Sequence, residues 1–213
     1  PYSGPTVASR SLMTVGELLR RAAVKLREQW AEGRDQTVEE HYREPDFLIP
    51  FSLDQFRGDA YPTYAWAVNA IEVELDTLTG VSRVLGAWGS FDTGTPVDSN
   101  IVRGQMEGGV LQGIGYASLE TMGYDAAGRI RSNSFADYLI PTAADVPGLH
   151  CRLHAEKYPD GPYGAKDAGE LPLVGAPAAW AEAVEQALGG GIRLQHIPFT
   201  AEDALRALAK EGK

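Results

Sequence analysis

Arg103-Gly-Gln-Met-Glu-Gly-Gly-Val-Leu-Gln-Gly-Ile-Gly-Tyr116 lies inside a run, Ile101 to Met122, that has the length of a helix. Its glycines stand at positions 104, 108, 109, 113 and 115. Each one inside a helix costs roughly 1 kcal/mol relative to alanine, so five of them need a reason. Phosphate cradling is not that reason. No Gly-Lys-Ser/Thr follows Gly108-Gly-Val-Leu-Gln-Gly113, and the run does not open a helix after a strand as a dinucleotide fingerprint must. Helices and strands mix along the chain without a strict βαβ rhythm. The expected class is therefore α+β, mixed sheets with packed helices, and not a doubly wound sheet. Gln105 and Gln112 are seven apart and share a helix face, with Gly108 and Gly109 between them. Such a face admits either another helix or a polar cofactor that satisfies the amides. Both readings stand at this point.

Upstream, Ala65 to Asp76 alternates Ala67, Ile71, Val73 and Leu75 with Glu72, Glu74 and Asp76, the pattern of a strand. Asp76-Thr-Leu-Thr-Gly80 is a turn, and Val81 to Trp88 returns as the second strand of a hairpin. Asp92 to Asn100 is a loop by composition. Nearer the start, Thr14 and Glu17 have the spacing of a capping box. They predict a helix with Val15, Leu18, Leu19, Ala22 and Leu26 on its core face, ending near Gly33. Residues 34–60 are polar and irregular, anchored by Phe47, Leu48, Ile49, Phe51 and Phe56.

Downstream, Ile130 to Leu139 and Leu149 to Lys157 are expected to be strands. His150, Cys151 and His154 lack a fourth ligand, and the cysteine faces away from the histidines, so they make a poor tetrahedral site. His41 has no ligand partners near it. Gly161-Pro-Tyr-Gly-Ala-Lys-Asp-Ala-Gly-Glu-Leu-Pro172 has four glycines or prolines before its glutamate, which predicts a loop of unusual backbone angles. A helix follows from Leu173 to Leu188, with Val174, Ala178, Ala181, Val184 and Leu188 as its stripe. Ile192 to Phe199 is then expected as a strand, and Thr200 as the cap of a last helix, Ala201 to Ala209.

Glu170 thus sits on a stiff loop at a helix start, beside apolar residues, where a carboxylate can serve as a general base. It can equally be an ordinary first-turn acid or the partner of Lys166. The segment Pro1 to Ser11 is rich in small and hydroxyl residues. It can bring amides and hydroxyls close to an anion, or simply fray.

A net charge of −10 over 213 residues argues against a nucleic-acid groove or an anionic membrane as partner. The length allows one large domain or two small ones. One cysteine excludes an internal disulfide and a four-ligand iron–sulfur cluster held by this chain alone. No apolar run approaches a membrane span and no signal-peptide pattern opens the chain, so a cytoplasmic location is expected.

Three stretches together resemble the C-terminal part of the molybdopterin-binding subunit of the xanthine dehydrogenase/aldehyde oxidase family. They are Gly4-Pro-Thr-Val-Ala-Ser-Arg-Ser11, Arg103 to Tyr116, and Gly164-Ala-Lys-Asp-Ala-Gly-Glu-Leu-Pro172. The resemblance runs over essentially the whole chain. It implies a partial C-terminal molybdopterin-binding domain over residues 1–213 and a pterin-bound molybdenum cofactor, in the plain or the cytosine dinucleotide form. Glu170 matches the glutamate that takes a proton from a metal-bound hydroxyl, whose oxygen then attacks an electron-poor carbon while a hydride leaves for a sulfido ligand. The dry surroundings of such a site would raise the carboxylate's proton affinity. Gln105 matches the glutamine that hydrogen-bonds an oxo ligand. Ala8 matches the residue whose backbone lies against the metal, and Thr6, Ser9 and Ser11 match pterin contacts. Lys166 is expected to brace its loop. No side chain ligates the metal.

The implied partners are the remainder of the molybdenum subunit, 2Fe-2S and FAD subunits or domains that take the electrons, and a small-molecule substrate. That substrate would be a purine, aldehyde or heteroaromatic compound hydroxylated with water as oxygen source. The pattern departs at Asp98-Ser-Asn100, where Asn-Pro is common, and at Asp167, where a small residue is usual. Family subunits are far longer, so the chain is expected to be one piece of a split subunit or a fragment, inactive alone. A non-catalytic assembly module of the same fold is the competing reading. A nucleotide-binding dehydrogenase is a weaker third.

Overall fold

The computed structural model describes residues 6–210; Gly4 and Pro5 of the first motif lie outside them. The described chain forms helix α1 (Glu17–Gln29), strands β1 (Trp66–Leu75) and β2 (Ser82–Asp92), helix α2 (Ser99–Ser118), strand β3 (Gly148–His154), and helices α3 (Leu171–Ala187) and α4 (Ala201–Lys210). The strands make one sheet in the order β1-β2-β3. This is the α+β class expected. No helix among the described residues is long and apolar enough to cross a membrane.

The chain divides into two compact units. The first holds the residues up to Trp66 with Asp92–Val102 and Leu153–Gly169. The second holds Ala67–Phe91, Arg103–Arg152 and the residues from Glu170 onward.

The second unit has a well-formed apolar core. Phe91, Met106, Ala117, Ala176 and Val184 are fully buried, and Trp180 and Leu188 are nearly so. The hairpin turn forms as expected. Asp76 Oδ1 accepts the amides of Leu78 and Thr79, and Gly80 takes a positive φ of 74°. Thr200 caps α4 reciprocally: Asp203 N donates to its Oγ1, and Asp203 Oδ2 accepts its amide.

The first unit buries little. Its helix begins earlier than predicted, with a π-helical turn (Ser11–Gly16) leading into α1. Thr14 therefore caps nothing. Glu17 is instead buried and held by Arg20 and Arg21. Leu19, assigned above to the core face, is 65% exposed, as are most of the expected anchors of residues 34–60, Phe47, Ile49 and Phe56 among them.

Other expectations fail for identifiable reasons. Residues 130–139 form turns with one isolated bridge, Tyr124 to Ile130, and no strand. Residues 192–199 also form no strand, because their amides serve other partners. Leu194 N donates to Glu185 Oε1 and Phe199 N to Ala117 O. In α3 the buried positions are Pro172, Ala176, Trp180, Val184 and Glu185, while Val174 is 74% exposed. The predicted stripe holds at Val184 and Leu188, but Val174 and Ala178 lie about half a turn from the buried face, because small apolar residues occupy nearly every position of this helix.

Candidate active site

In the first unit, residues 7–10 form a tight turn closed by Arg10 N donating to Val7 O at 2.8 Å. Its central residues, Ala8 and Ser9, take positive φ of 45° and 57°. Each costs of order 1–2 kcal/mol for a residue with a Cβ, so the surroundings must hold them there. They do. Ser9 Oγ accepts the amide of Ala168 at 3.0 Å. Gly169 packs against the turn so closely that a Cβ on it would stand 3.0 Å from Ala8 Cα. The Thr6 and Ser11 hydroxyls lie 2.9 Å apart and bond to each other. Ala8 and Ser9 thus form the centre of one turn, Thr6 and Ser11 flank it, and the turn is seated on the loop that precedes Glu170.

That loop is itself braced. Lys166 Nζ donates to Asp92 Oδ2 at 2.5 Å, both side chains being largely buried. Lys166 N donates to Thr93 O, and Thr95 N to Gly164 O, each at 2.9 Å. Gly94, with φ of 62°, has no room for a side chain, because a Cβ would meet Gly164 O at 2.4 Å. Lys166 therefore braces the loop as expected, and its carboxylate partner is Asp92, not Glu170. Asp92 and Gly94 were missed as site-supporting residues. The Asp-x-Gly order that makes the turn, with Gly94 N donating to Asp92 Oδ1, was the available signal.

The second unit carries Gln105 and Glu170. A Cβ on Gly109 of α2 would come within 2.3 Å of Pro172 Cγ, and one on Gly113 within 2.7 Å of Ala176 Cβ. The contact advances four residues on both helices together, so α2 and α3 run in the same direction. Gln105 precedes Gly109 by four residues, and Glu170, the N-cap residue of α3, precedes Pro172 by two. Both functional candidates therefore lie within about one turn, roughly 5 Å along the axis, of one contact and at the same end of the helix pair. Both are exposed, so this chain leaves Glu170 solvated where dry surroundings were expected.

The glycines of α2 divide by face. Gly109 and Gly113 admit α3, and Gly115 admits Pro141. A Cβ at Gly104 or Gly108 would meet nothing within 4 Å. The single face drawn through Gly108 and Gly109 is thus two: one takes a helix, and the other is open beside Gln105.

His150 stacks on Trp88 at 5.6 Å, and no group of three or more metal-ligating side chains occurs among the described residues. His41 is exposed beside Glu39. Each unit by itself carries groups able to contact a pterin cofactor without ligating its metal. The first has the backbone and hydroxyls in and beside the 7–10 turn, and the second has one carboxamide beside bare glycines and one carboxylate.

The molybdopterin cofactor-binding domain family matches residues 29–147. The chain is 36% identical over 65% of its length to the 6-hydroxypseudooxynicotine dehydrogenase complex subunit gamma of Paenarthrobacter nicotinovorans. It is 37% identical over 68% of its length to the nicotine 6-hydroxylase large subunit of the same organism. It covers 18% of each of those proteins. Among solved structures, quinoline 2-oxidoreductase from Pseudomonas putida 86 matches 65% of this chain at 37% identity and a TM-score of 0.62, with 18% of that chain covered. Aldehyde oxidoreductase from Desulfovibrio gigas matches 76% at 29% identity and a TM-score of 0.66, with 17% of that chain covered. The chain spans under a fifth of the length of each of these relatives. It belongs to the molybdopterin cofactor-binding domain family, as a part of the molybdenum subunits of the xanthine dehydrogenase/aldehyde oxidase group.

Proposed function

We propose that this chain supplies cofactor contacts and the general base of a molybdenum hydroxylase. The carrying observation is the parallel packing of α2 on α3, which sets Gln105 and Glu170 at one end of the helix pair. When bound, the molybdenum–pterin group supplies the redox chemistry that oxidises an electron-poor carbon of a purine, aldehyde or heteroaromatic substrate. In this reading the Glu170 carboxylate takes the proton of the attacking hydroxyl, whose oxygen comes from water. The Gln105 carboxamide donates a hydrogen bond to the cofactor, and open Gly104 and Gly108 let the group approach the helix backbone. The Ala8 backbone and the Thr6, Ser9 and Ser11 hydroxyls position the pterin. Lys166 keeps the loop before Glu170 in place.

The counterpart of the relatives' remaining length completes the site and covers the exposed apolar residues of the first unit. Iron–sulfur and FAD partners take up the electrons, and the cofactor is of the molybdopterin type, in the plain or the cytosine dinucleotide form. The names of two relatives, a nicotine hydroxylase and a quinoline oxidoreductase, favour a nitrogen heteroaromatic substrate.

The test is Glu170→Gln in the assembled complex. Stoichiometric molybdenum with turnover reduced roughly 10²- to 10⁴-fold is expected for loss of a general base. Wild-type-like turnover overturns the assignment. Absence of molybdenum from the fully assembled wild-type complex favours a non-catalytic module.

A further inference from the structure

We infer that the outer edge of β1 accepts an added strand, supplied by the polypeptide that makes up the relatives' remaining length; this rests on the reading that the chain works as one part of a larger molybdenum subunit. β1 stands at the edge of the sheet and is hydrogen-bonded to β2 alone. From Ala67 onward it lies in the second unit. At the hairpin turn Asp76 N donates to Val81 O, and Glu74 meets Arg83 directly across the two strands. That register turns the N–H and C=O of Glu74, Glu72, Ala70 and Val68 toward β2. The amides and carbonyls of Ala67, Asn69, Ile71, Val73 and Leu75 therefore point outward. None of them has a hydrogen-bond partner among the described residues.

A row of unpaired backbone groups is a template for another strand, and proteins guard such edges with short strands, proline or lysine. β1 is 10 residues long and has neither proline nor lysine. Its burial also marks a missing neighbour. β2, paired on both sides, buries Gly86, Ala87, Gly89 and Phe91, whereas no residue of β1 is buried. Ile71, Val73 and Leu75 share one face and are only half-buried. The incoming strand needs apolar residues beside these three and a lysine or arginine beside Glu72 on the other face. Glu72 is exposed and makes no ion pair among the described residues, while Glu74 is held by Arg83 at 2.7 Å. A second copy of this chain meets these needs poorly. Two β1 strands side by side would bring Glu72 and Glu74 of both copies to one sheet face, between chains of net charge −10 each. The relatives offer another source, since this chain covers only 18% of each of two of them. Main-chain pairing then gives the affinity, and the alternate side chains give the specificity.

The experiment is residue-resolved amide hydrogen exchange on the full chain alone and in the assembled molybdenum subunit. In the chain alone, the amides of Ala67, Asn69, Ile71, Val73 and Leu75 should exchange freely, while those of Val68, Ala70, Glu72 and Glu74 are protected by β2. In the assembly the outward amides should slow by roughly 10²-fold or more, with the inward ones as the internal control. Outward amides that exchange as fast in the assembly as in the chain alone overturn the inference. So does protection that appears in the chain alone as its concentration rises, which assigns the edge to a second copy. Protection in an assembly that holds no molybdenum upholds the added strand and counts against the catalytic reading, so the two fail separately. Ile71→Pro removes one outward N–H, and Ile71→Ala keeps it. With circular dichroism preserved in both, Ile71→Pro should lower the chain recovered with its counterpart polypeptide roughly tenfold relative to Ile71→Ala. Equal recovery of the two variants overturns the inference.

Discussion

Gly169 and Ala8 fix one another: a Cβ on the glycine would stand 3.0 Å from the alanine's α-carbon, and the alanine holds a positive φ of 45°. Gly169→Ala must push the turn at residues 7–10 away or distort it. Overpacking of this kind costs roughly 1–3 kcal/mol. The expected result is a lower denaturation midpoint for the chain, together with reduced molybdenum content in the assembled complex. An unchanged midpoint would show that the turn relaxes freely.

The Lys166–Asp92 pair should behave as a buried ion pair. Asp92→Asn leaves a largely buried ammonium without its carboxylate, at a cost of about 3–5 kcal/mol. Asp92→Asn combined with Lys166→Met removes both charges and should recover most of that loss. Urea unfolding of the two single variants and the double variant measures the coupling directly.

The glycines of α2 should separate into two groups. Gly109→Ala and Gly113→Ala drive a methyl into α3 and should destabilise the chain by roughly 1–3 kcal/mol. Gly104→Ala and Gly108→Ala meet only open space in this chain and should stabilise it, by up to about 1 kcal/mol each. In the assembled complex the second pair should instead lower molybdenum content. Thermal unfolding and metal analysis of the four variants test both halves.

Acid should weaken the first unit through Glu17. Hydrogen bonds from Arg20, and then Arg21, hold its carboxyl below the ordinary glutamate range against the opposing effect of burial. The unfolded chain therefore takes up this proton first as pH falls. The stabilisation is complete above the unfolded value near 4.5 and is lost as pH drops through the lower folded one. Glu17→Gln should cost about 1 kcal/mol at neutral pH, since both arginines are more than a third exposed. It should also flatten the loss of stability between about pH 5 and 3, followed by denaturant midpoints.

The candidate site residues could be named from local sequence, but their roles at a cofactor came from the family resemblance. A glutamate after a glycine-rich loop, a glutamine on a glycine-rich helix and a small-residue turn with hydroxyls each stood out locally. So did the hairpin, whose alternation has period two, and the last helix, whose cap and first turn are adjacent in sequence. Where the pattern was ambiguous, tertiary contacts decided. Residues 192–199 look like a strand, but their amides go to Glu185 and Ala117. Nearly every position of α3 is small or apolar, so only packing selected Pro172, Ala176, Trp180 and Val184.

The sequence by itself determined the α+β class, the family resemblance and the identity of Gln105 and Glu170 as the residues to watch. Only the tertiary structure decided which α2 glycines take a helix and which stay open. It alone found Asp92 as the partner of Lys166, 74 residues away. The physical reason is the same in both cases. Helix periodicity fixes which residues share a face, but which face is covered, and by what, depends on chain segments far apart in sequence.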